Sequence, residues 1–217
     1  VNPLIGSGGH GHVFVGANVP FGMVQLGPTS IPQEWDWCSG YHDSDSTVIG
    51  FSHTHLSGTG IGDLFDITVM PVVGEVTYGR GREEDPSTGM WSYADRSREV
   101  ARPGYYSVPL TRYGITAEMT ATNRVGLHRY TFPQSEEAGI VINLMNGGCW
   151  DRPMDAQIER VDPMTGQPDP NGQALRGYRY SRGWADDQKV YFYAEFSKPF
   201  KDFKVIRGDI QIWQDEF

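Results

Sequence analysis

Cysteine is nearly missing from this chain: among 217 residues there are only Cys38 and Cys149. Two cysteines so far apart do not make a disulfide framework, and the pair stays open between one bridge and two small buried hydrophobes. Long apolar runs are missing too. No segment approaches the ~18 residues that a membrane-spanning helix needs, and no basic-then-apolar leader stands at Val1, so a signal peptide is expected to be either absent or already removed. Basic charge is in deficit, with 18 Lys and Arg against 27 Asp and Glu and a net charge of −9. Such a surface repels phosphate backbones and anionic bilayers, so neither nucleic acid nor a membrane is an expected partner. Helical periodicity is missing as well: 27 glycines and 14 prolines interrupt the chain, and no stretch sustains a 3.6-residue apolar repeat. There is no GxxxxGK[ST] phosphate loop, no internal repeat, no low-complexity tract and no clear linker.

Short strand-like runs are plentiful. Residues 67–78 ("ITVMPVVGEVTY") are rich in β-branched residues. Residues 104–132 read as three strands with turns at "TRYG" and "NRVG", and 138–145 as a buried strand. Three more strands are expected over 173–183, 189–197 and 202–213, where the chain ends inside a strand pattern and reads as cut from something longer. Spacings of about ten residues with turn signals between them predict an all-β antiparallel β-sandwich over 1–217. The first 65 residues read as glycine-rich loops and hold five of the six histidines. Residues 83–100 form a polar excursion with one helical turn, and 160–173 an exposed Pro/Gly/Asp loop.

Three clusters carry candidate chemistry. In "GSGGHGHVFVGANVPFG" (6–22) the glycines permit close backbone approach, and His10 and His12 are either pocket groups or solvated loop residues. In "EWDWCSGYHDSDS" (34–46) aromatic faces stand beside carboxylates, which suits the C–H faces and hydroxyl rim of a sugar. The same composition also suits two core tryptophans and an Asp/Ser turn, and it is not an EF-hand loop. In "GFSHTHLSGTGIGDL" (50–64) a strand would put His53 and His55 on one face, for zinc or for a polar ligand. His128 reads as a satisfied strand histidine. Asp63 and Asp66 read as turn caps rather than a glycosidase pair.

Four blocks, "VNPLIGSGGHGHVFVGANVPFGMVQLGP", "WDWCSGYHDSD", "GFSHTHLSGTGIGDLFDITVMP" and "RPGYYSVPLTRYGITAEMTATNRVGLHRYTFP", resemble the amino-terminal part of glycoside hydrolase family 92. The likeness is specific from Val1 to about Pro133. It implies calcium-dependent, inverting exo-α-mannosidases in which an N-terminal β-sandwich packs on a C-terminal (α/α)6 barrel, with the active site between them. It also implies that the acid, the base and the calcium ligands belong to the barrel. This chain would then hold no calcium and no catalytic residue, and would be inactive alone. The matching motifs mark Trp35, Asp36, Trp37, His53, Thr54 and His55 as substrate-binding, backed by Phe21 and Gly22. The expected partners are mannose-containing glycans and the C-terminal helical domain; the expected setting is bacterial, periplasmic or secreted to the cell surface. "WDWC" looks more like α-1,2-specific members, with Trp37 tuning linkage. A free-standing carbohydrate-binding module and a zinc hydrolase built on His10, His12, His53 and His55 are the alternatives.

Overall fold

The computed structural model describes residues 1–206 with the exception of Cys149. Among the described residues every strand pairing is antiparallel. The large sheet runs in the order Ala17–Asn18, Gln25–Thr29, Gly50–Ser52, Thr68–Val73, Ala138–Asn143. The second sheet runs Gly126–Thr131, Ile115–Ala121, Tyr105–Leu110, Val100–Arg102. A third pairs Arg152–Val161, Ala174–Arg182 and Gln188–Glu195, and two small ladders complete the set.

The first two sheets form the sandwich. In Ile115–Ala121 every second residue (Ile115, Ala117, Met119, Ala121) is buried, the signature of a strand with one core face. Those side chains and Tyr106, Val108 and Leu110 meet Val15, Ala17, Leu26, Phe51, Met70 and Val72 in one apolar core. The three strands expected over 104–132 are present, as are those over 138–143, 174–182 and 188–195. The helical turn in the polar excursion is a 3-10 turn at Arg96–Arg98 capped by the Asp95 side chain.

Three expectations are corrected. The first 65 residues are not all loop, because Ala17–Asn18, Gln25–Thr29 and Gly50–Ser52 are strands of the large sheet. Gly27 and Pro28 hide the second of these. At Gly27 a Cβ would stand 2.3 Å from the Val15 carbonyl, so the glycine is there for close backbone approach. Arg152–Val161 is a ten-residue strand the sequence did not suggest. It lies at a sheet edge and carries Pro153 beside a register shift, where a missing N–H costs no ladder bond. Finally, 202–206 form no strand. The rest of that expected strand, and the Cys38–Cys149 pairing, lie outside the described residues; Cys38 is buried.

Candidate functional site

The N-terminal loops meet at one rim of the sandwich. The His12 carbonyl accepts from Ser39 Oγ at 2.6 Å and from the Gly58 N–H at 2.6 Å, which ties the first glycine loop to both other loops. His12 itself has φ +52°, a left-handed conformation rare for a side-chain-bearing residue. Residues Trp35–Trp37 form a single 3-10 turn, with Asp36 at its centre.

Asp36 gathers two histidines. His10 Nδ1 lies 2.8 Å and His12 Nε2 2.8 Å from Asp36 Oδ1, and His10 also reaches Oδ2 at 3.0 Å. Hydrogen bonds from His10 and then His12 hold the Asp36 carboxyl below the usual carboxylate range. The His12 ring is buried and the His10 ring open, with side-chain exposures of 7% and 81%. Trp35 stands over this cluster. Its indole meets His12 edge-on, with centroids 4.3 Å apart, while Nε1 donates to the Gly60 carbonyl at 2.7 Å. Gly60 is left-handed at φ +65°, and a Cβ there would be 2.9 Å from the indole. The ring is thus locked in place and still 53% exposed, a rigid amphipathic face of the kind that binds ligands at little entropic cost. Trp37 is turned inward. Its ring stacks on His42 at 4.4 Å and its Nε1 donates to Asp45 Oδ2 at 2.6 Å.

The strand bearing "SHTH" ends at Ser52, so strict alternation stops before the histidines. Three adjacent residues then enter three networks. His53 Nδ1 lies 2.7 Å from the Ile67 carbonyl and its Nε2 3.0 Å from His128 Nε2; His128 Nδ1 meets Tyr130 Oη at 2.7 Å. One set of tautomers satisfies this chain: Tyr130 O–H donates to His128, His128 N–H to His53, and His53 N–H to the carbonyl. His128 is therefore a satisfied strand histidine. Thr54 Oγ1 donates to Asp66 Oδ2 at 2.7 Å. His55 is 3% exposed, with Nδ1 2.8 Å from the Gln25 carbonyl and Nε2 3.2 Å from Thr29 Oγ1. Burial pulls its pKa down to about 4, and burial lowers those of His53 and His128 as well. The four histidines of the zinc-hydrolase alternative are not brought together, since His53 and His55 stand apart from the His10–His12–Asp36 cluster.

Phe21 is fully exposed at φ +60°. It lies in a turn closed by the Gly22 N–H on the Val19 carbonyl at 3.0 Å, beside Asn123. Among the described residues no side-chain hydrogen bond or ring contact ties Phe21 to Trp35 or to the histidines.

Asp63 and Asp66 are structural, but not as local caps. Asp63 Oδ2 accepts from the Trp184 N–H at 2.9 Å. Asp66 Oδ1 takes Arg179 Nη1 at 2.5 Å, and Oδ2 takes Gln188 Nε2 at 2.8 Å. Arg179 is wholly buried. It also pairs with Asp151 and donates to the carbonyls of Leu144 and Asn146. Burial raises the Asp151 carboxyl, while Arg179 pulls it down. This pin joins the third sheet to the base of the "SHTH" loop, and sequence reading missed it because Arg179 and Asp66 are 113 residues apart. One signal was available: Arg179 shares a strand face with Leu175 and Ser181, an inward alternation in which a charge must find a partner.

Among the described residues, His10, His12 and Asp36 are the one group with metal-ligand spacing. Two imidazoles and one carboxylate do not suit calcium, which takes six to eight oxygens.

The chain is thus an all-β domain that presents an aromatic face and a carboxylate from its N-terminal loops. The model described as the glycosyl hydrolase family 92 N-terminal domain matches residues 1–216. The chain belongs to glycosyl hydrolase family 92, as its N-terminal domain. The family GH92 α-mannosidase BT3965 from Bacteroides thetaiotaomicron, solved alone and in complex with mannoimidazole, is 37% identical with a TM-score of 0.82 over 93% of this chain. The GH92 family glycosyl hydrolase ccman5 is 23% identical with a TM-score of 0.71 over 89% of the chain, a likeness of fold. An uncharacterized secreted glycosidase of Arthroderma benhamiae is 32% identical over 141 residues, 62% of this chain. The chain spans only 25% and 17% of the lengths of BT3965 in its complex and of the fungal relative.

Proposed function

We propose that this domain forms one wall of the sugar cleft of an exo-acting, inverting α-mannosidase, and that it binds and orients a mannoside without transferring a proton. The observation that supports this most directly is the immobilised, half-exposed Trp35 indole beside the charged Asp36 carboxylate. The indole would take the apolar face of a pyranose and the free lone pairs of Asp36 its hydroxyls. His53, Thr54 and His55 would hold the floor, and Phe21 and Gly22 a neighbouring rim. Trp37 would tune linkage from behind, with α-1,2 the favoured bond. In an inverting reaction, water attacks the anomeric carbon as the glycosidic C–O bond breaks, with one carboxyl protonating the leaving oxygen and another deprotonating the water. Both carboxyls, and the calcium, would come from a C-terminal helical domain outside this chain. The natural partners would be mannose-containing glycans, met in a periplasmic or secreted setting.

The test is kinetic. Trp35→Ala in the full-length protein is expected to lower kcat/KM on α-1,2-mannobiose about 100-fold with folding retained, the scale of a lost positioning contact. The 217-residue chain alone is expected to show no turnover. An unchanged kcat/KM in the variant, or hydrolysis by the chain alone, refutes the reading.

One observation favours a second reading, a carbohydrate-binding face on the third sheet. The Tyr178 and Tyr180 rings stack at 4.4 Å, with Tyr191 hydrogen-bonded to Tyr180 at 2.8 Å and 67% exposed. Retardation of the chain on a mannan gel, lost in Tyr191→Ala but kept in Trp35→Ala, would select it.

A further inference from the structure

We propose that His10, His12 and Asp36 form a site for a borderline divalent transition metal, zinc foremost. The donor set is two imidazole nitrogens and a carboxylate, three protein ligands that leave a fourth position open. Their ligating atoms already lie within 4.8 Å of one another. Around zinc at about 2.0–2.1 Å, tetrahedral ligands stand about 3.3 Å apart. The present His10–Asp36 and His12–Asp36 separations of 2.8 Å need to open by only a few tenths of an ångström.

The frame is built for it. The His12 backbone is held from two sides, by Ser39 and by Gly58, and Trp35 covers its ring edge. Asp36 sits mid-turn between two tethered tryptophans. His10 faces solvent and leaves an entry path. The metal takes the places of the two hydrogens now directed at the carboxylate, bound by His10 through Nδ1 and by His12 through Nε2. Calcium is disfavoured by the nitrogen donors. The site shares Asp36 with the proposed sugar contact, and its test reads zinc uptake with no sugar present.

The experiment is zinc titration of the metal-stripped, untagged full-length protein by calorimetry, with cobalt(II) absorption as the coordination probe, on the wild type and on His10→Ala. The His10 side chain is exposed, so its removal leaves the fold intact. A supporting result is one zinc equivalent in the wild type whose affinity falls at least ~100-fold in His10→Ala, the upper end of what lost outer contacts alone cost, together with loss of the tetrahedral cobalt spectrum. Asp36→Asn is expected to weaken zinc in the same direction, and excess calcium not to displace it. Wild-type protein that takes up no equivalent absent from His10→Ala overturns the proposal.

Discussion

At the scale of single residues, strain is concentrated around the candidate site. His12, Phe21, Leu64, Phe65 and Ile67 all have φ between +52° and +73°, where a Cβ crowds the following carbonyl at a cost of roughly 1–2 kcal/mol each. For the β-branched Ile67 this is a true outlier. Its carbonyl is the acceptor for His53, so the turn is held where it orients that ring. Phe21 lacks such an excuse, since its side chain touches solvent on every side. Phe21→Gly should therefore raise stability by about 1 kcal/mol, read as a higher urea midpoint at unchanged slope. A lower midpoint would mean that the ring packs where the geometry leaves it free.

At the scale of elements, the third sheet is joined to the rest of the fold by a buried ion pin. Its last strand, Gln188–Glu195, alternates half-buried and exposed residues, while Arg179 reaches out of the sheet to Asp66 and Asp151. Removing the guanidinium strands two buried carboxylates. Arg179→Met is expected to cost about 3–5 kcal/mol, measured by urea unfolding, with Arg179→Lys recovering only part because an ammonium lacks the planar fork. A loss under 1 kcal/mol would show that water reaches the pin.

For the whole molecule, pH is the lever. From Thr68 Oγ1 to Ser52 Oγ to Thr29 Oγ1, separations of 2.7 Å link buried hydroxyls, and Thr29 ends on His55 Nε2. Thr68 Oγ1 donates onward to the Phe65 carbonyl at 3.1 Å, and His55 Nδ1 faces the Gln25 carbonyl, so the imidazole is enclosed in a buried polar chain, away from the bulk water that would solvate a charge. The folded pKa of about 4 lies below the ordinary 6.5, so the neutral ring stabilises the fold fully above pH 6.5. That contribution, about 3 kcal/mol at 1.36 kcal/mol per unit, is lost as pH falls from 6.5 to about 4. His53 and His128 act in the same direction. The melting temperature should drop steeply between pH 6.5 and pH 4.5, and less steeply in His55→Gln. Parallel profiles would remove His55 from the account.

What the sequence determined by itself was set by local rules. Period-two apolar runs such as Ile115–Ala121 can bury only one face, so they specify strands and a sandwich. Glycines, histidines and the "WDW" motif marked the rim loops. Tertiary structure alone decided how those residues are used. It turned Trp35 outward and Trp37 inward from one short turn, sent His53, Thr54 and His55 into separate networks, joined Asp36 to His10 and His12, and drew Arg179 from the far end of the chain onto Asp66. These are contacts between segments distant in sequence. Their partners are chosen by where the sheets bring backbones together and by the requirement that every buried charge and polar hydrogen find a mate, which no local pattern encodes.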